Sequence, residues 1–402
     1  MISIKLLASM LLFSAIVLAA GCGGGGGGNP APIDVVTDGS TPANVMAVTV
    51  NGSLCSASSY LNKPCVSVTI CNPDLSVCQT VDDILLDTGS YGLRIFQQAI
   101  PSLALPQVAN GTGSLTGCVQ FADGSSLWGP IKRAAVKLGT EPAVTMPIQV
   151  IDATFGTLPL PCANADPSPV SSGFSGILGV GVLAEDCGPG CVFSSANGIY
   201  YSCIGTSCTG TTVALADQVQ NPVARLPVDN NGLLVRFPEV PVSGVPSLDG
   251  SVIFGIGTRT NNTPVAPTVF PTDQNGDFRT IFNGINTVGF LDTGSNGLFF
   301  PNADPTVLPV CEAPNADWYC PPLARALLAT SVGANGSPSQ NVSFSVSNFL
   351  TLVASPNNVF SNVAGPSTFG FDWGLPFFMG RDVFFGIEGT TSPLGAGPYV
   401  AY

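Results

Sequence analysis

One stretch of the chain occurs twice. Residues 86–96 read LDTGSYGLRIF, and residues 291–301 read LDTGSNGLFFP. Each copy follows a largely apolar segment, and together they are predicted to form a buried strand that ends at an aspartate, Asp87 or Asp292. The Thr-Gly-Ser that follows favours a tight turn, because glycine tolerates backbone angles that other residues avoid. Each copy therefore leaves a carboxylate at a strand tip, beside hydroxyl and backbone N–H groups.

Two such tips facing each other would bring two carboxylates within hydrogen-bonding reach. Carboxylates at that distance do not both ionise, because their charges repel each other. The pair would share one proton and could act as an acid and a base at once.

A further glycine segment follows each copy. Gly179, in GILGVG (residues 176–181), lies 92 residues after Asp87, and Gly380, in FFMGRDVF (residues 377–384), lies 88 residues after Asp292. This combination resembles the pepsin-like aspartic peptidases of the retropepsin clan, in which a hydrophobic-hydrophobic-Gly strand threads beneath each DTG loop. The resemblance covers roughly residues 44–390. It implies an all-β, bilobal acid-protease fold, with two related β lobes and the cleft between them.

The resemblance implies the following roles. Asp87 and Asp292 would bind one water, the ionised member taking its proton and the protonated member donating to the peptide carbonyl oxygen. The threonines would cross-link the two loops, and the serines would hydrogen-bond the outer carboxylate oxygens; simple turn capping is the alternative, and the two roles are compatible. The supporting loop residues are Thr88, Gly89, Ser90, Thr293, Gly294 and Ser295. No metal and no organic cofactor is implied.

Residues 118–139 are predicted to form a hairpin that turns at Asp123-Gly124. In the peptidases the corresponding hairpin is a flap over the substrate and usually presents a tyrosine. The candidate here is Phe121, which has no hydroxyl. An ordinary hairpin with a core-facing phenylalanine is the alternative interpretation of this residue.

Two further classes of function compete with a peptidase that cleaves peptides or proteins. One is a catalytically inactive body of the same fold that binds peptides or envelope proteins, since a fold does not determine activity. The other is a purely structural envelope protein. The chain also resembles a bacterial group of predicted lipoproteins of unknown function that shares the twin motifs and the GLPFF sequence of residues 374–378.

The composition of the chain limits the classes of function that it can have. The 402 residues carry a formal charge of −13 with no basic cluster, which argues against nucleic acid as a partner. The absence of histidine excludes Ser-His and Cys-His nucleophiles and removes the commonest zinc ligand. The length and the 47 glycines and 35 prolines favour two β lobes, which we place at residues 44–245 and 246–402. We expect a monomer.

The N-terminus is predicted to be a signal peptide spanning residues 1–21, because a lysine precedes a short apolar run and a small-residue processing site. Cys22 would then carry lipid and anchor the protein to a membrane of the bacterial envelope. Gly23 in the next position favours the outer membrane. Residues 22–43, rich in glycine and proline, would be a tether and are short for a propeptide. Ordinary cleavage without lipid is the alternative.

The chain has 13 cysteines, and 12 remain once Cys22 is set aside. An even number in an exported chain predicts disulfides, although the sequence does not fix their connectivity. Close neighbours are the candidate pairs, and two cysteines are left over for each other. These pairs are Cys55/Cys65, Cys71/Cys78, Cys187/Cys191, Cys203/Cys208, Cys311/Cys320 and, by remainder, Cys118/Cys162.

Local sequence patterns predict several further elements of secondary structure. A Cys-rich insertion at residues 184–213 is expected to be a disulfide-stapled surface loop. Helices are expected at residues 214–220 and 323–328, and a strand at residues 350–353. Residues 143–151 are expected to form an edge strand, because Pro147 interrupts them.

Overall fold

The computed structural model describes residues 42–56, 60–301 and 304–402. The predicted signal peptide, Cys22 and almost all of the tether lie outside the described residues. Residues Ala43–Tyr402 form one compact unit. No helix within the described part of the chain combines the length and apolar character that a membrane span requires.

The protein is all-β, as predicted, with strands that alternate between buried and more exposed positions or are buried on both faces. The strands of the first half are β1 (Val45–Val50), β2 (Pro64–Cys71), β3 (Cys78–Asp87), β4 (Tyr91–Phe96), β5 (Ala109–Asn110), β6 (Gly113–Gln120), β7 (Ser126–Leu138), β8 (Val144–Ile151), β9 (Gly176–Val180), β10 (Tyr200–Ile204), β11 (Ser207–Gly210) and β12 (Gly232–Arg236). Those of the second half are β13 (Leu248–Phe254), β14 (Val269–Pro271), β15 (Phe278–Phe282), β16 (Ile285–Asp292), β17 (Leu298–Phe300), β18 (Arg325–Val332), β19 (Ser339–Val346), β20 (Ala364–Pro366), β21 (Phe371–Gly374), β22 (Asp382–Gly386), β23 (Thr391–Ser392), β24 (Gly395–Ala396) and β25 (Tyr399–Ala401).

Helices are short. The α-helices are α1 (Pro169–Ser172), α2 (Pro189–Phe193) and α3 (Phe349–Val353). Single 3-10 turns occur at Gln97–Ala99, Leu160–Cys162, Leu215–Asp217, Val223–Arg225, Thr260–Asn262 and Leu375–Phe378. The helix expected at residues 214–220 is therefore reduced to one 3-10 turn.

Two sheets organise the described residues. The larger has 16 strands and runs β11-β10-β6-β7-β8-β4-β9-β3-β2-β1-β13-β12-β22-β25-β14, with β5 paired to β6. The smaller has seven strands in the order β19-β18-β15-β16-β21-β17-β20. The boundary proposed at residues 245/246 falls between β12 and β13, which are neighbours in the larger sheet.

The same three-strand arrangement occurs once in each sheet. Strand β9 lies parallel to β3 and antiparallel to β4, with Asp87 opposite Gly179. Strand β21 lies parallel to β16 and antiparallel to β17, with Asp292 opposite Gly374. A Cβ at Gly374 would lie 2.0 Å from the Gly297 carbonyl oxygen, so only glycine fits this crossing.

The second threading segment was predicted wrongly. The strand beside Asp292 is β21, which ends at Gly374, and not the Phe377–Phe384 segment with Gly380. Residues Leu375–Phe378 form a 3-10 turn, and Asp382 begins β22 of the larger sheet. Asp382 forms a two-point ion pair with Arg236 of β12, the strand beside β22.

The smaller sheet is packed by aromatic side chains. Phe371 stacks on Trp373 with ring centroids 4.1 Å apart and on Phe300 at 5.0 Å. The indole N–H of Trp373 donates to the Thr280 hydroxyl at 3.0 Å, so its polar group is satisfied in the core. This packing holds β21 in place beside β16, the strand that ends at Asp292.

All six predicted disulfide pairs are present, and the cysteines of each pair lie 4 to 44 residues apart in sequence. The insertion at residues 184–213 is more than a surface loop. Its strand β10 pairs with β6 and so extends the larger sheet, and Tyr200 is fully buried in a satellite core.

Three other local predictions were wrong. Residues 323–328 enter strand β18 and pair with β19. Residues 350–353 belong to α3, because the Asn348 side chain caps its N-terminus. Strand β8 is not at an edge, since it pairs with both β7 and β4, yet Pro147 lies in its part that pairs only with β7.

Candidate active site

The two aspartate loops meet face to face. A Cβ at Gly89 would lie 2.7 Å from Asp292 Cγ, and a Cβ at Gly294 would lie 3.1 Å from Asp87 Cγ. Each loop therefore needs glycine where it approaches the carboxylate of the other. The Asp87 side chain is 5% exposed and hydrogen-bonds the Asp292 side chain.

The threonines cross-link the loops through four reciprocal hydrogen bonds. The Thr88 hydroxyl donates to the Leu291 carbonyl at 3.0 Å and accepts from the Thr293 backbone N–H at 3.0 Å. The Thr293 hydroxyl donates to the Leu86 carbonyl at 2.8 Å and accepts from the Thr88 backbone N–H at 3.1 Å. Both side chains are buried, so each hydroxyl satisfies backbone groups that water does not reach.

Each carboxylate is also held within its own loop. The Gly89 N–H donates to Asp87 Oδ1 at 2.7 Å, and the Ser90 hydroxyl donates to Asp87 Oδ2 at 2.5 Å. At Asp292 the Gly294 N–H donates to Oδ1 at 2.7 Å and the Ser295 hydroxyl donates to Oδ2 at 2.7 Å. Each serine thus bonds the Oδ2 oxygen of its own aspartate while also closing the turn.

The environment favours a proton on Asp87. Burial, then the charge of Asp292 and a hydrogen bond with its side chain, raise the pKa of Asp87 well above its usual range. Hydrogen bonds from Ser90 and Gly89 oppose this rise. The arrangement is chemically an acid and a base in contact, because the proton on one carboxyl leaves the other free to accept one.

Tyr60 belongs to the site and was missed by sequence reasoning. Its hydroxyl donates to the Gly294 carbonyl oxygen at 3.0 Å. Burial raises the pKa of the Tyr60 phenol far above its usual range, and the charges of Asp292, Asp123 and Asp87 add to the shift. Tyr60 therefore lies against the second aspartate loop, a position that no local sequence pattern around it indicates.

Asn62 explains how this segment reaches the second loop. Its side-chain amide donates to the Asn296 carbonyl at 2.8 Å and the Phe360 carbonyl at 2.9 Å, and its oxygen accepts from the Phe360 N–H at 2.7 Å. Asn62 is fully buried with φ of +50°, which asparagine tolerates better than most residues. The clamp ties the segment carrying Tyr60 to the second half of the chain.

The hairpin forms as predicted from β6 and β7, with its turn closed by the Phe121 N–H donating to the Ser125 carbonyl at 3.0 Å. Phe121 is half-buried and packs against an apolar cluster, as the alternative interpretation of this residue proposed. The members of that cluster are Leu85, Phe96, Leu127, Ile151 and Ile177. Two of them, Leu85 and Ile177, are paired residues of the strands that lead to Asp87.

A metal site is not supported by the donor chemistry found. In the described ranges, the grouping of potential ligands is Cys55, Cys65 and Asp83. The two cysteines form a disulfide and offer no thiolate. Asp83 is paired with the buried Lys63 ammonium, so this cluster is an ion pair beside a disulfide.

We expect the Thr293→Val substitution to destabilise the fold by about 2–4 kcal/mol, because it leaves two buried backbone groups without a partner. Urea unfolding would measure the loss. Thr330→Val is the matched control: its hydroxyl bonds the Asn341 side chain on the surface, so its cost should stay within about 0.5 kcal/mol. Equal losses in both variants would contradict a special role for the cross-link.

The raised pKa of Asp87 also predicts a pH dependence of stability. Above about pH 4 the unfolded chain loses this proton while the folded protein keeps it, so the Asp87 contribution falls as pH rises, by at most about 1.4 kcal/mol per pH unit. Asp87→Asn should therefore gain stability relative to wild type as the pH rises above about 4. The exposed Asp249→Asn is the control. Parallel pH curves for Asp87→Asn and wild type would show that Asp87 titrates normally.

Comparison with known proteins assigns the chain to a family whose function is unknown. Residues 40–402 match a family described as a protein of unknown function, DUF3443. A search of curated proteins found no match. The matched region contains both aspartate loops, the hairpin and all six disulfides, and it begins after the predicted signal peptide. Since the match spans most of the sequence, the chain belongs to the DUF3443 family of proteins of unknown function.

Proposed function

We propose that the protein is an aspartic endopeptidase with a bilobal, pepsin-like fold. The observation that carries the proposal is the Asp87–Asp292 pair, held in contact by two loops of the same sequence and the same hydrogen-bond pattern. Supporting it, β3-β9-β4 and β16-β21-β17 repeat one strand arrangement in the two sheets. A shared surface turn would require neither the reciprocal threonine bonds nor the burial of Asp87.

In the proposed reaction a water held between the carboxyls attacks the peptide carbonyl carbon. Asp292, the ionised member, takes a proton from that water, and Asp87 donates its proton to the carbonyl oxygen. The tetrahedral intermediate then loses the amine, which receives a proton from Asp292, and Asp87 recovers its own from the hydroxyl that collapses to the new carboxyl group. The raised pKa of Asp87 supports a proton held within the pair.

The surroundings of the pair suit an extended peptide. The apolar cluster under Phe121 lies beside the strand that leads to Asp87 and offers a surface for apolar side chains. The hairpin turn carries Asp123, whose charge acts on Tyr60 together with those of the two catalytic candidates. We propose that this hairpin covers the substrate.

A second candidate is a peptide-binding protein of the same architecture without catalysis. One observation favours it: Phe121 provides no hydroxyl at the hairpin, and its ring is committed to the apolar cluster. Tyr60 does not substitute simply, because its hydroxyl donates to the Gly294 carbonyl. Peptide cleavage separates the two candidates.

We expect Asp87→Asn and Asp292→Asn each to reduce turnover by at least about a hundredfold without unfolding the protein, since each change is nearly isosteric and removes the shared acid or base. Wild-type activity should fall as pH rises far enough to remove the shared proton, and a statine-type transition-state analogue should inhibit it. Cleavage of a peptide library at several pH values measures this, with Asp249→Asn as an active control. An inert wild type that still binds peptides would favour the second candidate.

We also propose that the protein is an exported bacterial lipoprotein that carries its lipid on Cys22. The six disulfides support an oxidising compartment, where such bonds persist. Cys22→Ser should move the protein from the membrane fraction to the soluble fraction, because it removes the acyl chains that hold it there. Unchanged fractionation of this variant would rule out the lipid anchor.

A further inference from the structure

A third carboxyl lies behind the pair. Asp372 is in β21, opposite Phe290 in the parallel pairing with β16, and it is 7% exposed. The corresponding residue of the first sheet is Ile177, opposite Leu85 in the parallel pairing with β3. The second half of the molecule therefore has a carboxyl where the first half has an apolar side chain.

The contacts of Asp372 connect it to Asp292. Its carboxyl lies within reach of the Ser295 hydroxyl, which donates to Asp292 Oδ2 at 2.7 Å. One of its carboxyl oxygens, Oδ1, is buried and has no hydrogen-bond partner in the described part of the chain. Ser295 is thus placed between two carboxyls, whereas Ser90 in the first loop donates to Asp87.

The charges around Asp372 oppose its ionisation. None of the ion pairs formed by the described residues involves it. The titratable groups that face it are Asp292 from β16, Asp87 from β3 and the Tyr60 phenol. Burial, then the charges of Asp292 and Asp87, raise the pKa of Asp372 well above its usual range; donation by Ser295 to an ionised Asp372 would oppose the rise, but the Ser295 proton is used by Asp292.

We propose that Asp372 is a positioning residue that selects Asp292 as the ionised member of the pair, an inference that rests on the proposed function for its catalytic meaning. The protonated Asp372 carboxyl donates to Ser295 Oγ, and the Ser295 hydroxyl donates its own proton to Asp292 Oδ2. The Ser295 hydroxyl then accepts one hydrogen bond and donates another, and no proton is transferred. Asp292 is stabilised as a carboxylate, and the shared proton stays on Asp87.

A chain of two hydrogen bonds ending on a carboxylate stabilises the charged form more than a single serine does, because each donor polarises the next. The two loops have the same sequence from Leu to Ser, so their own residues do not distinguish the two aspartates. Asp372 supplies the difference. The pair is consequently asymmetric before substrate binds, with the acid and the base assigned by a residue outside both loops.

The test is a titration of the aspartate carboxyls by 13C NMR in wild type, Asp372→Asn and Asp372→Ile. Above about pH 5, where ordinary aspartates are ionised, the three carboxyls of wild type should retain two protons and Asp372→Asn should retain one. Asp372→Ile, which copies Ile177, removes the donor to Ser295. It should raise the pH at which the pair takes up its second proton by about one unit, while Asp372→Asn, whose amide can still donate, should change it much less.

Ser295→Ala provides a second route if Asp372→Ile does not fold. It breaks the same chain and should shift the second protonation in the same direction. Adding Asp372→Asn to Ser295→Ala should then give no further change in that step, since the two act as one unit. Asp249→Asn should leave every one of these steps unchanged. An Asp372 that titrates in the ordinary range, or a second protonation unaffected by Asp372→Ile and Ser295→Ala, would overturn the proposal.

This titration requires no turnover, so the two proposals fail separately. Wild type that titrates as described but cleaves no peptide would refute the peptidase and keep the hydrogen-bond chain. A protein that cleaves peptides but whose Asp372 titrates in the ordinary range would refute the hydrogen-bond chain and keep the peptidase. In an active enzyme, Asp372→Ile should move the acid limb of the kcat/KM profile upward by the same amount as the second protonation, a shift that loss of packing alone would not produce.

Discussion

Four hydrogen bonds between two threonines and the opposite strands fix the geometry on which the site depends. Thr88 and Thr293 each satisfy two backbone groups of the other loop, in a region that solvent does not reach. The glycines that follow let each loop approach the aspartate carboxylate of the other loop, and the Asp87 and Asp292 side chains hydrogen-bond each other. Contact between the buried Asp87 carboxyl and the partly buried Asp292 carboxyl makes ionisation of both costly, which favours one shared proton.

Much of this was predictable because it is encoded locally and twice. A buried strand, an aspartate and a Thr-Gly-Ser turn specify a carboxylate at a strand tip, and the repetition at residue 291 indicates that two tips meet. The disulfide pairs were also predictable, since cysteines close in sequence can meet without any knowledge of the fold. The hairpin at Asp123-Gly124 has turn chemistry that favours its structure.

The failures have a common physical origin in long-range contacts. Gly374 was overlooked because Asp372 breaks the apolar pattern before it, whereas Gly380 follows three apolar residues in a segment that is a 3-10 turn. Tyr60 enters the site through the Asn62 clamp, which connects residues 298 positions apart. An aspartate between Phe371 and Trp373 in a buried strand was a readable signal, and it identifies the residue on which the further inference rests.

The central claim is that Asp87 and Asp292 act together on one bound oxygen. A crystal structure of the wild type with a statine-type analogue, grown at acid pH, tests it most directly. We expect the hydroxyl of the analogue to lie within about 3 Å of both carboxyl groups, beneath the hairpin that carries Phe121. An analogue bound elsewhere, or a hydroxyl that contacts neither carboxyl, would contradict the account.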